Sequence, residues 1–173
     1  INATGTVRLL HALDRIGFRG TFLYVSSGDV YGPVEPSDLP VTERTPPRPA
    51  NPYAASKIAG ECAALAWGSR GQFRVVVARP FNHLGARQGP AFAVARFAAM
   101  LAAIRRGELA PELKTGRLDV TRDFLDVRDV VDAYLALLQN GRPGEIYNVC
   151  SGVERRLDDV LRTLIRLSGV DLK

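Results

Sequence analysis

The 173-residue chain reads as an α/β domain, a parallel sheet with helices packed on its faces. Three observations point there. The short runs Phe22-Leu23-Tyr24-Val25 and Val75-Val76-Val77 are β-branched and aromatic without polar alternation, the make-up of strands buried on both faces. Between them stand segments with apolar residues three and four apart, as helices require. The two kinds of segment alternate along the whole chain, with no internal repeat and no low-complexity tract.

Residues 1–17 carry Val7, Leu10, Leu13 (with Leu9) and Ile16 on a helical stripe, with Gly17 as the stop, so the chain is expected to open already inside a helix. Residues 21–26 form the first strand. Residues 29–50 hold Pro33, Pro36, Pro40, Pro46, Pro47 and Pro49, which leaves few donors for regular structure and predicts a long functional loop. Asn51 is a good N-cap and Pro52 sits at the first helical position, where a missing N–H costs nothing; a helix to about Trp67 follows. Residues 73–78 read as the second strand, closed by Arg79-Pro80. After it come an Ala-rich helix over 90–106, an extended stretch over 118–124, and a helix over 127–140 ended by Gly141. A third strand over 145–149 and a last helix over 157–168 complete the order.

Bulk properties narrow the function classes. Hydrophobic residues make up 46%, enough to bury a core, yet no apolar run approaches the roughly 18 residues that span a bilayer, and no basic-then-apolar leader opens the chain. The expectation is a protein of the cytoplasm with no membrane partner. Cys62 and Cys150 form no C-x-x-C, and His11 and His83 have no further ligand candidates nearby, so neither metal nor disulfide is expected. The net charge is +5, but the arginines are scattered with no block of five or six, which favours a solvated surface over nucleic-acid binding.

The stretch from Thr21 to Lys57 carries the chemistry. Residues four apart on a helix share a face, so the Tyr53 hydroxyl and the Lys57 ammonium point toward one space. A phenol with an ordinary pKa near 10 is a poor base at neutral pH, and a nearby cation favours its phenolate. Ser27 lies where a strand leaves the sheet, the carboxyl end at which open α/β folds bind ligands. Its hydroxyl can hold a carbonyl or alcohol oxygen while Tyr53 exchanges the proton. Taken alone these residues leave a bland alternative open, a surface lysine and a turn-forming serine.

Ser26-Ser27-Gly28-Asp29-Val30-Tyr31-Gly32 together with Asn51-Pro52-Tyr53-Ala54-Ala55-Ser56-Lys57 resembles the extended short-chain dehydrogenase/reductases, the NAD-dependent epimerase/dehydratase group acting on nucleotide sugars. The resemblance covers essentially the whole chain. It implies a partial Rossmann-like sheet in residues 1–80, and in 81–173 substrate-binding segments interleaved with returning Rossmann elements. It implies Ser27, Tyr53 and Lys57 as the catalytic set, with Lys57 also on the nicotinamide ribose, Ser26 beside the cofactor, and Gly28 and Asp29 on the substrate side. Ile1-Asn2-Ala3-Thr4-Gly5-Thr6 resembles the Asn-x-x-Gly-Thr helix, making Asn2 a cofactor candidate. Arg79-Pro80-Phe81-Asn82-His83-Leu84-Gly85 resembles the segment in which Pro80 packs beside the nicotinamide and Asn82 meets the substrate diphosphate. Arg122-Asp123-Phe124 resembles the element whose Arg contacts the nucleotide, and guanidinium suits phosphate. Asp123, Asp126 and Asn148 are expected to be structural.

Family dehydratases carry an Asp-Glu or Ser-Glu pair after the catalytic hydroxyl, where this chain has Gly28-Asp29. The resemblance therefore implies reduction of the C4 ketone of a GDP-4-keto-6-deoxy sugar, with NAD or NADP undistinguished; 4-epimerase, 4,6-dehydratase and a non-catalytic nucleotide-sugar binder remain alternatives. The Gly-rich turn that cradles pyrophosphate does not occur in these residues, so the sequence is expected to be an excerpt of a longer protein, and alone to bind dinucleotide weakly. The family's paired helices and the small residues Ala54, Ala55, Ala59, Ala63, Ala64 and Ala66 imply a homodimer.

Overall fold

A computed structural model describes residues 1–172 and divides the chain into two compact units. The first comprises Ile1–Phe81 and Arg128–Cys150, and the second Asn82–Val127 with the chain from Ser151.

In the first unit α1 (Thr4–Arg15), β1 (Thr21–Val25), α2 (Pro52–Gly68), β2 (Arg74–Pro80), α4 (Val127–Asn140) and β5 (Ile146–Val149) build a three-stranded parallel sheet of order β1-β2-β5. Strand β2 is central and buried from Val75 to Pro80. Its Val75 and Val77 pack with Leu10, Tyr24, Ala64 and Phe73 beneath α1 and α2. Strand β1 is an edge strand and only Tyr24 of its five residues is buried, which corrects the expectation of burial on both faces. Helix α1 begins at Thr4, so Ile1 and Asn2 lie outside it; its hydrogen bonding starts when Gly5 N–H donates to the Ile1 carbonyl (2.8 Å). Ile16, expected on the buried stripe, is 76% exposed, because the helix has ended at Arg15. Between α1 and α2, the ring of Trp67 meets His11 edge-on at 4.7 Å and lies 5.6 Å from the Arg70 guanidinium.

Helix α2 begins where the sequence places it. Asn51 Oδ1 accepts the Ala54 N–H at 2.8 Å, and Pro52 occupies the first turn. The Pro-rich stretch before it is not free of regular structure, since 3-10 turns form at Gly28–Tyr31 and Pro36–Asp38. Such turns close i to i+3 bonds over a few residues, which a sparse supply of donors permits.

The second unit holds β3 (Asn82–Leu84), α3 (Ala93–Arg105), β4 (Thr121–Asp126), β6 (Glu154–Arg156) and α5 (Leu157–Ser168). β4 pairs with β3 in parallel and with β6 antiparallel. The three-residue strands β3 and β6 are absent from the sequence reading, being too short for any periodicity to register. Phe97, Leu157 and Leu161 form this unit's core. The Asp123 carboxylate accepts from Ser151 N–H (2.9 Å) and Gly152 N–H (2.7 Å), closing a turn.

Candidate active site

Strand β1 delivers Ser26 and Ser27 past the end of the sheet. Ser26 N–H donates to the Ala78 carbonyl (2.7 Å), and its hydroxyl is buried with no hydrogen-bond partner. Ser27 caps the 3-10 turn, its Oγ accepting the Asp29 N–H at 3.2 Å. Gly28 follows with the ring of Phe81 over it; a Cβ there would sit 3.2 Å from two ring carbons. Gly32 ends the turn at φ +65°, where a side chain would collide with the Arg48 carbonyl.

Helix α2 supplies Tyr53 and Lys57. Lys57 Nζ donates to the Val25 carbonyl (2.9 Å), two residues before Ser27, and lies 5.6 Å from the Tyr53 ring centroid and 5.7 Å from that of Tyr24. One ammonium thus links the strand end to the helix. Burial holds its pKa below the ordinary lysine value. Tyr53 is 47% exposed and open to a ligand. Tyr24 donates to the Lys57 carbonyl at 3.2 Å and is pushed up to about 12 by burial first and the Glu61 carboxylate second.

Asn2 donates from Nδ2 to Ser56 Oγ (3.0 Å), whose hydroxyl donates to the Tyr53 carbonyl (2.7 Å), so this residue braces the first turn of α2. Asn2, Ser26, Ser27, Gly28, Asp29, Tyr53, Lys57 and Pro80 all belong to the first unit. Asn82 and Arg122 belong to the second, both exposed, with Arg122 Nη1 donating to the Thr121 carbonyl (2.7 Å).

Beneath the site lies a network that the sequence reading did not find. Arg79 forms a two-pronged ion pair with Glu61 of α2 (Nη2 to Oε2 2.7 Å, Nε to Oε1 3.0 Å) and donates from Nη1 to the Tyr31 phenol (3.1 Å). The phenol donates to Asn148 Oδ1 at 2.6 Å, and the Asn148 N–H donates to Glu43 (2.8 Å). Burial alone would lower the Arg79 pKa, but the bonds to Glu61 and Tyr31 outweigh it and hold the guanidinium charged. A signal was present: Glu61 is a charged residue four positions after Lys57 in an Ala-rich helix, on the face that must be covered.

Residues 1–150 match the NAD dependent epimerase/dehydratase family. The chain belongs to that family. Within this epimerase/dehydratase family, the GDP-6-deoxy-D-mannose reductase of Pseudomonas aeruginosa is 49% identical over all 173 residues, which are 57% of its length. The mouse dTDP-D-glucose 4,6-dehydratase is 35% identical over 167 residues, covering 96% of this chain and 45% of that one. The chain thus spans about half the length of these curated relatives. Among solved structures, RMD from Pseudomonas aeruginosa complexed with NADPH superposes with a TM-score of 0.97 at 49% identity, covering all of this chain and 58% of that one. The dTDP-glucose 4,6-dehydratase of Bacillus anthracis in complex with NAD gives 0.85 at 30% identity, covering 98% of this chain and 53% of that one. The Rossmann-like reading of the parallel sheet stands on these superpositions.

Proposed function

We propose that the protein carrying this chain reduces the C4 ketone of a GDP-linked 4-keto-6-deoxy-hexose to GDP-rhamnose with NADH or NADPH. The observation that carries the reading is the turn after Ser27. Where family dehydratases carry Asp-Glu or Ser-Glu, Gly28 has no titratable side chain and lies against the Phe81 ring, and Asp29 is one methylene shorter than Glu, a pair that favours reduction over elimination of water. The 49% identical reductase supports the same choice.

The residues fit the nicotinamide end of a dinucleotide. The unpartnered Ser26 hydroxyl, the Lys57 ammonium with two hydrogens beyond the one given to Val25, and Pro80 at the end of β2 are the groups that would hold it. When bound, the nicotinamide supplies the hydride that reaches the sugar C4. The chain's own groups handle the oxygen. Ser27 donates a hydrogen bond to the ketone oxygen and polarises it. Tyr53 gives that oxygen its phenolic proton, and Lys57 stabilises the phenolate left behind. Asn82 is the proposed contact to the substrate diphosphate and Arg122 the proposed contact to its nucleotide portion, where guanidinium suits phosphate. In the proposal the working protein is a cytoplasmic homodimer.

The test is to incubate the full-length protein with the GDP-keto-sugar and NADPH and follow nicotinamide absorbance. Loss of absorbance with formation of a GDP-6-deoxyhexose supports the reading. No loss, or interconversion of a GDP-hexose without net NADPH consumption, overturns it, the latter in favour of an epimerase.

A further inference from the structure

We infer that Tyr31 is a positioning residue for this reaction, tying the turn that presents Ser27 to the helix that carries Tyr53 and Lys57. The inference rests on the proposed roles of those three residues.

Tyr31 ends the 3-10 turn that Ser27 caps, so only Gly28, Asp29 and Val30 of one hydrogen-bonded turn stand between the two residues. Its phenol oxygen is shared between two strands. Arg79 on β2 and Asn148 on β5 are register partners in the parallel sheet, and the phenol accepts from the first and donates to the second. From Arg79 the network continues to Glu61, which lies four and eight positions after Lys57 and Tyr53 on α2 and therefore on a common helix face. Turn, both strands and helix thus meet within two side-chain bonds of one oxygen. Tyr31, Arg79 and Glu61 are each 3% exposed or less. The Arg79 guanidinium also lies 5.0 Å from the Tyr31 ring centroid, and Phe81 packs beside the same ring at 6.2 Å while covering Gly28.

A buried polar chain of this kind is not the cheapest way to fill the space, since apolar residues of similar volume commonly stabilise as well or better. What the polar chain adds is direction. Hydrogen bonds fix the turn relative to α2 in angle and distance, whereas apolar packing would allow it to slide. A reacting group misplaced by about 1 Å loses on the order of a hundredfold in rate.

The experiment uses the full-length protein with Tyr31→Phe, which removes the one oxygen, and Asn148→Ala, which removes the acceptor of its proton. Each is expected to lower kcat at least about tenfold while the KM for NADPH stays within about twofold. Because both act through one bond, the double variant falls little further than the singles. A Tyr31→Phe protein that melts earlier but keeps more than half its kcat overturns the inference, as that is the mark of a purely structural residue. Should Tyr31→Phe fail to fold, Asn148→Ala carries the test by the same criterion. If the parent itself shows no turnover, the proposed function has failed. The inference is then read from crystal structures of parent and variant: Ser27 Oγ displaced from Tyr53 by more than about 0.5 Å supports it, and an unmoved Ser27 overturns it.

Discussion

Lys57 serves two groups from one atom, bonding the Val25 carbonyl and flanking the Tyr53 ring. Tyr53 is the residue on which turnover should hang. Tyr53→Phe is expected to lower kcat by roughly 10²–10⁴ while leaving NADPH affinity of the full-length protein within a few-fold, as measured by steady-state rates and calorimetry; equal loss of both would point to a binding role instead. The neighbouring phenol makes a stability statement. Tyr24 stays protonated in the folded protein to about pH 12 but ionises near its ordinary value of 10 once unfolded. The stability this contributes is fully present below pH 10 and is lost as pH rises toward 12. Lys57 acts in the opposite sense and at lower pH: its folded state sheds a proton first, so stability rises with pH between its lowered value and the ordinary lysine value of 10.5. Urea midpoints of the chain and of Tyr24→Phe, compared across about pH 9–12, should diverge in slope above pH 10, the parent falling more steeply.

The seating of α2 on the sheet depends on two contacts along its length. At Gly60 any side chain would strike the Tyr24 hydroxyl, so Gly60→Ala should cost about 1–3 kcal/mol in denaturant titration through overpacking. One residue on, removing the partner of Glu61 leaves a charge buried without compensation; Arg79→Ala is expected to cost about 3–5 kcal/mol by the same measurement. These are also the places where sequence and structure part company. The start of α2 was legible because Asn51 and Pro52 are local signals, and α4 and α5 were legible to the residue because their apolar spacing runs unbroken from end to end. Tyr53 and Lys57 stood out as candidates by their spacing and Ser27 by its place at a strand end, while their roles as a set came from the family resemblance. The Glu61–Arg79–Tyr31–Asn148 chain was not, since its members lie 18, 48 and 117 positions apart and only the β2–β5 register unites them. The edge position of β1 was hidden for a like reason: composition records which residues favour strands, not which strands have neighbours.

At the scale of the molecule, apolar surface is left uncovered. Val131, Leu135 and Leu138 form a stripe on α4, each at least 36% exposed, and β1 offers an edge on which no described strand is paired. The 173-residue chain on its own is expected to associate, and Val131→Asp with Leu135→Lys should shift light scattering toward the monomer. Calorimetry should find NADPH binding to the isolated chain much weaker than to the full-length protein, the pyrophosphate end lacking its Gly-rich turn; micromolar affinity would refute this. Trp67 gives such experiments a convenience. It is the chain's single tryptophan, wedged between α1 and α2 with its indole N–H buried, against an imidazole and a guanidinium. Its emission is therefore a label-free optical gauge of the seam between the helix that carries Tyr53 and Lys57 and the helix beside it. Whatever parts those two helices will change the indole's surroundings and register as a shift in fluorescence.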